Sequence, residues 1–168
     1  MLKSPRLVLR RIVAADASVL WSWRVHREIV RSLPAPTLNG LRAFVRETLQ
    51  DRSRHQFMAV AGGEPIGLFR LYERGLSDRD IGGLLAKPAW GLGYGTEVAR
   101  VLLDYGFRRL KLHRIWATCD VDNARSIHLM KKIGMKREGR MREHRLLGGR
   151  WRDSLLFAIL DSEWKAKP

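Results

Sequence analysis

Apolar side chains recur along this chain at two spacings, and the changes between them divide it into elements. Arg6-Leu7-Val8-Leu9-Arg10 alternates weakly after Pro5 and predicts a first strand. Asp16 is placed to cap a helix that carries Val19, Leu20, Trp23 and Val25. Pro34-Ala35-Pro36 interrupts the helical region, and Leu41, Phe44, Val45 and Leu49 then predict a second helix over about 39–54. Phe57 to Ala61 and Pro65 to Tyr72 flank Gly62-Gly63, the composition of a hairpin. Ile81 to Leu85 reads as a further strand ending before Pro88. Residues 96–110 return to helical spacing, with Val98, Leu102 and Tyr105 on one side and Ala99, Leu103 and Phe107 beside it. A strand over 114–119 and a short helix over 124–133 follow, with Ile127, Met130 and Ile133 inward and Gly134 at the stop. Residues 140–147 and 150–160 flank Gly148-Gly149 as a last hairpin. That order of elements predicts an α/β chain with a mixed sheet. No repeat, low-complexity tract or linker interrupts it, so a single domain over 1–168 is expected.

Composition narrows the class. A chain of 168 residues, 45% hydrophobic with six Trp, suits one packed core. Charged residues break every apolar run well short of a membrane span, and Met1-Leu2-Lys3-Ser4-Pro5-Arg6 lacks the apolar core of a signal peptide. Cys119 is the single cysteine, which excludes an intramolecular disulfide and a cysteine metal cluster. A cytoplasmic protein is expected. The net charge is +15, and 24 of the 32 basic residues are Arg. The excess is spread through both halves, so it belongs to a folded surface that attracts phosphates, nucleic acid or acidic peptides and repels polycations. An arginine-rich genome composition would give the same count.

The informative segment is Lys87-Pro88-Ala89-Trp90-Gly91-Leu92-Gly93-Tyr94-Gly95-Thr96-Glu97, where glycines alternate between a strand and a helix. Glycine permits positive φ and close approach to the backbone, and N–H groups at a helix N-terminus converge on an anion. A pyrophosphate fits, with the Thr96 hydroxyl beside it; an ordinary glycine-rich turn is the alternative. A dinucleotide fingerprint would need glycine at Thr96, and the Gly-Lys-Ser/Thr of a P-loop does not occur.

Residues 80–160 resemble the GNAT acyltransferase superfamily, particularly its branch of ribosomal-protein N-terminal (Rim-type) acetyltransferases. The family's Gln/Arg-x-x-Gly-x-Gly/Ala loop corresponds to Trp90-Gly91-Leu92-Gly93-Tyr94-Gly95, with Trp in the Gln/Arg place. Asn123-Ala124-Arg125-Ser126, running through Lys131 and Lys132 to Ile133-Gly134-Met135, resembles a second family element. Leu112-His113-Arg114-Ile115, Arg142-Glu143-His144 and Trp151-Arg152-Asp153 are similar too, and Arg6 to Arg10 resembles the branch's opening strand.

The resemblance implies a GNAT fold, α/β and α+β-like. Its central sheet would be mixed, mostly antiparallel, splayed at an acetyl-CoA cleft and flanked by about four helices. Leu84 and Leu85 would pair by backbone with the pantetheine arm of acetyl-CoA. Trp90, Gly91, Leu92, Gly93, Tyr94, Gly95 and Thr96 would hold its pyrophosphate, and Asn123, Ser126 and Lys131 would border the arm and nucleotide. No metal is implied.

Direct acetyl transfer needs a neutral amine, a polarised carbonyl and a proton for the departing thiolate. An α-amine is roughly 10–20% neutral at pH 7, whereas a lysine side chain is below roughly 0.1%. Asp80 matches the position where many family members carry a Glu base; a solvent-facing strand-end carboxylate is its other reading. Glu143 is a second candidate. The family's usual acid is a Tyr seven residues after the Asn, where this chain has Met130, and that departure fits a branch in which Ser126 serves. First-turn helix capping is the other reading of Ser126. Tyr94 reads as loop packing, and His113, His128 and His144 lack metal-ligand spacing.

The acceptor expected from the resemblance is a protein N-terminal α-amine of ribosomal-protein type, with proximity to RNA through the basic surface. The alternatives are a small-molecule amine, and a noncatalytic acetyl-CoA- or nucleic-acid-binding regulatory module. A monomer or homodimer is expected; pairing of the last hairpin with a second copy rests on fold analogy.

Overall fold

Strand β6, Arg114–Asp120, alternates half-buried and buried positions along its whole length, the mark of a strand inside a covered sheet. It belongs to a computed structural model that describes every residue except 31, 52, 54, 74–77 and 165–168. Its strands are β1 (Leu2–Lys3), β2 (Val8–Arg11), β3 (His55–Ala61), β4 (Glu64–Glu73), β5 (Asp78–Leu85), β6, β7 (Lys136–Leu147) and β8 (Arg150–Leu160). Its helices are α1 (Asp16–Ser22), the single turn α2 (Arg27–Val30), α3 (Leu38–Gln50), α4 (Tyr94–Asp104) and α5 (Ala124–Lys132). Eight strands form one sheet in the order β1-β2-β3-β4-β5-β6-β8-β7. The α/β class and the mixed sheet are as expected. Among the described residues, no helix is long and apolar enough to cross a membrane.

Contacts gather the chain into two compact units: Met1–Tyr72 with Gly83–Val98, and Glu73–Gly82 with everything from Ala99 onward. In the first, Leu20, Leu41, Val45, Met58 and Leu68 share a buried cluster with Trp23. Each such side chain stabilises by roughly 1.5–3 kcal/mol. Trp23 is therefore core, while Trp21 is 40% exposed under the Arg24 guanidinium. In the second, Leu102, Leu103, Ile115, Phe157 and Ile159 are buried. There β5 and β6 run parallel over Asp78–Arg114, Arg79–Ile115 and Asp80–Trp116. Beyond that register β6 continues against β8, from Ala117–Phe157 to Asp120–Ser154.

Four expectations shift. Asp16 does not cap α1. Its carboxylate is 1% exposed, accepts from the Val13 N–H at 2.8 Å and takes both Arg10 terminal nitrogens at 2.7 Å, so it closes the preceding turn. Thr37 does cap α3, through the Gly40 N–H. That helix ends at Gln50, and Leu49 is 48% exposed because the inward position in its last turn is taken by Thr48; the expected end at residue 54 lies outside the described residues. The opening strand is displaced to Val8–Arg11. Helix α4 starts at Tyr94, inside the glycine segment, and finishes in a π turn over Tyr105–Arg109.

Candidate active site

The residues singled out in the sequence fall into two groups, one per unit. The first is the glycine segment. Gly91 and Gly93 have φ of +77° and +81°, a left-handed conformation that only glycine adopts cheaply. Left-handed residues alternating with ordinary ones are the backbone pattern from which anion-binding nests are built. The Gly93 carbonyl accepts the first helical bond of α4, from the Glu97 N–H at 3.2 Å. The N–H groups of Tyr94, Gly95 and Thr96 thus lack acceptors within the helix. The glycine loop fits a phosphate by its own geometry.

The loop is pinned at both ends. The Trp90 indole Nε1 donates to the Leu85 carbonyl at 3.0 Å, and Lys87 Nζ lies 5.2 Å from its ring centroid. Trp thereby fastens the loop to the end of β5. Beside it, Gly83 lets the Phe69 ring lie across β5: a Cβ there would come within 2.4 Å of Phe69 Cδ1. At the far end stands Arg6. Its Nε donates to Glu97 Oε2 at 2.8 Å, its Nη1 to the Leu92 carbonyl at 3.0 Å, and its Cζ sits 4.7 Å from the Tyr94 ring centroid. Ser4 Oγ donates to Glu97 Oε1 at 2.6 Å. Burial pushes the Glu97 carboxyl up, but the hydrogen bonds from Ser4 and Arg6 outweigh it and hold it below its ordinary value. A carboxylate in the first turn would oppose a bound phosphate; the Arg6 guanidinium offsets it. The Tyr94 ring packs beneath the Arg6 guanidinium. Arg6, Ser4 and Glu97 escaped the sequence reading because their partners lie about ninety positions away.

The second group surrounds α5. Asn123 Oδ1 accepts from the Ser126 N–H at 3.1 Å and caps the helix. The capping reading of the Ser126 hydroxyl is corrected: the cap belongs to Asn123, and among the described residues no hydrogen bond engages Ser126 Oγ. The turn before the cap is braced from β8. Arg152 donates to Asp120 Oδ2 at 3.0 Å and Oδ1 at 2.8 Å, and also pairs with Asp122. This guanidinium holds the Asp120 carboxyl below its ordinary value. Lys131 opens onto a pocket of about 340 Å³ shared with Arg100, Lys132, Ile133 and Trp164. Met130 is buried core.

Asp80 is 5% exposed and lies opposite Trp116 in the parallel register. The solvent-facing reading is therefore corrected. Glu143 is exposed at a β-bulge, with φ of +47°. His113 meets Asp161 at 3.2 Å and His144 meets Ser154 at 3.0 Å.

Comparison with known proteins supplies the lineage. A family model described as an acetyltransferase (GNAT) domain matches residues 6–136. The chain belongs to the GNAT acetyltransferase family. It is 32% identical to YnaD of Bacillus subtilis, named an uncharacterized N-acetyltransferase, over 95% of this chain and 96% of that one. It is 27% identical to spermidine N(1)-acetyltransferase of Escherichia coli over 71% of this chain and 65% of the relative. It is 28% identical over 73% and 72% to YdaF of Bacillus subtilis, provisionally named a ribosomal N-acetyltransferase. A crystal structure of a GNAT acetyltransferase from Bacillus anthracis superposes with a TM-score of 0.85 at 28% identity, covering 96% of this chain and 99% of that one. The fold is the GNAT fold, and GNAT enzymes use acetyl-CoA as cosubstrate. The chain is an acetyl-CoA-dependent N-acetyltransferase.

Proposed function

We propose that this GNAT enzyme acetylates a small-molecule primary amine. The observation that carries the acceptor is the likeness to spermidine N(1)-acetyltransferase. The +15 charge favours an amine with fewer positive charges than spermidine, because a field of that sign repels polycations. Membership in a family of acetyltransferases displaces the noncatalytic reading.

In this reading residues 90–96 hold the pyrophosphate through backbone N–H groups, and Leu84 and Leu85 pair with the pantetheine arm. Asn123, Ser126 and Lys131 border the arm and the nucleotide. Acetyl-CoA supplies the activated acetyl group. Asp80 accepts a proton from the incoming ammonium, freeing the nitrogen to form its bond to the acetyl carbon as the carbon–sulfur bond breaks. The proton that the newly bonded nitrogen then sheds passes to the departing thiolate, to which Ser126 Oγ donates a hydrogen bond. Its support is geometric: the hydroxyl is half-buried and left unengaged by the helix cap. The same reading places the enzyme in the cytoplasm, as a monomer or homodimer.

A second reading is a ribosomal-protein N-terminus, supported by the likeness to YdaF and by a basic surface suited to an acceptor lying near RNA. The test is acetyl-CoA titration followed by CoA release with monoamines, spermidine, N-terminal peptides and no acceptor. Monoamines should turn over at least tenfold faster than peptides. A peptide preference would restore the ribosomal reading, and failure to bind acetyl-CoA would overturn both. Ser126→Ala should lower kcat by roughly 10²-fold while leaving acetyl-CoA affinity within twofold. Unchanged kcat would remove the hydroxyl from the chemistry.

A further inference from the structure

Two glycines lie inside strands beside one phenyl ring. Gly67 is on β4, two residues before Phe69, and Gly83 is on the neighbouring β5. A Cβ at Gly67 would meet Phe69 Cε2 at 2.7 Å and Leu85 Cδ2 at 2.8 Å. A Cβ at Gly83 would overlap Phe69 Cδ1 and come to 2.8 Å from Cγ. Neither glycine has a positive φ, so no turn requires it. Glycine within a strand weakens the strand and marks a close approach to its backbone. Here the approaching group is the Phe69 ring, laid flat across both strands.

Leu68 and Leu84 pack on the cluster around Trp23. Alternation along a strand therefore turns Phe69, Gly83 and Leu85 to the other face of the sheet. Phe57 stands opposite Phe69 in the register of β3 and β4, and both rings are buried. Cross-strand neighbours on one face are in contact, so Phe57 takes the space into which the Phe69 ring would swing away from β5. Burial alone explains an apolar side chain at position 69. It does not explain why β4 and β5 each give up a side chain to let the ring lie on their backbone.

The direction of the cofactor supplies a reason. With the pyrophosphate at residues 90–96 and the pantetheine arm on Leu84 and Leu85, the next residue along β5 away from the glycine loop is Gly83. The far end of the arm, with its thioester and acyl group, thus arrives where the Phe69 ring covers the strand. We propose that Phe69 is a specificity-determining residue that limits the transferred group to acetyl, its ring closing the space that the outer carbons of a butyryl chain would enter. That role rests on the proposed pairing of Leu84 and Leu85 with the arm, and it is independent of which amine is acetylated. A methylene that does not fit an apolar pocket is rejected by roughly tenfold or more.

The test is the kcat/KM of the full chain with acetyl-, propionyl- and butyryl-CoA, using one amine that the wild type turns over. Wild type should decline steeply with chain length. Phe69→Ala should raise the ratio of butyryl to acetyl transfer at least about tenfold, with acetyl-CoA affinity kept within about threefold. Phe69→Leu, a milder truncation, should move the ratio in the same direction by less. Both variants should melt lower than wild type, but a loss of folded enzyme lowers transfer from every donor alike and leaves the ratio where it was. A ratio unmoved in Phe69→Leu and Phe69→Ala, beside a wild type that discriminates by chain length, overturns the role of Phe69 alone. A wild type that uses butyryl-CoA as readily as acetyl-CoA overturns it too. A wild type that binds no acetyl-CoA overturns the cofactor reading beneath it.

Discussion

Gly93 and Arg6 make one device from two distant residues. A side chain at Gly93 would be strained at φ +81° and its Cβ would press on Arg6 Nη2 at 3.3 Å. Gly93→Val should therefore cost about 1–3 kcal/mol of stability and weaken acetyl-CoA binding at least tenfold by calorimetry; unchanged affinity would unseat the loop assignment. Glu97→Ala removes the carboxylate that orients Arg6, and a severalfold loss of acetyl-CoA affinity with an unaltered amine KM is expected. Away from the loop, Arg10→Ala strands the buried Asp16 carboxylate. A loss of about 3 kcal/mol is expected, read as a fall of roughly 6–12 °C in Tm. The glycines were legible in the sequence because their spacing is local. Arg6 was not, because an opening-strand arginine looks the same whether its partner is water or a loop ninety positions on. Asp16 misled for the opposite reason: an acid before a helix reads as a cap, and only the fold reveals the guanidinium that turns it inward.

Among the elements, the last hairpin is tied by charge to β6 and to the turn that precedes α5. Asp120 beside Arg152, Glu138 beside Arg114, and Asp153 held by the Glu143 N–H and Arg140 all sit below their ordinary carboxyl values. A carboxyl depressed by folding contributes stability above its unfolded value, near 4, and loses it as pH falls through its lower folded value. Tm should thus be insensitive to these groups from pH 6 to 8 and decline below about pH 4. Arg152→Gln should melt lower than wild type at neutral pH, with the gap closing in acid; a gap constant down to pH 2 would contradict the bracing role. The hairpins themselves were legible, since Gly62-Gly63 and Gly148-Gly149 punctuate apolar runs. The ends of α3 and α4 were less so. Thr48 takes the inward place expected of Leu49, and α4 begins two residues early because the glycine segment supplies its first turn.

At the scale of the whole molecule, charge selects among acceptors. Raising ionic strength from about 0.05 to 0.5 M screens the field of the +15 surface. The KM for spermidine, or its Ki if it is not turned over, should fall about threefold more than that of a monoamine. Equal shifts would mean that the acceptor does not sense the net charge. The order of elements made the fold class readable, whereas the acceptor was not, because no local motif encodes the side chains that would receive it. The pinning of the glycine loop by Ser4 and Arg6 has a consequence for dissection of the chain. A fragment beginning at residue 80 would keep the glycine loop and the Asn123–Ser126 element and still lose the clasp on its phosphate loop. What suffices to identify this enzyme is thus shorter than what suffices to build it.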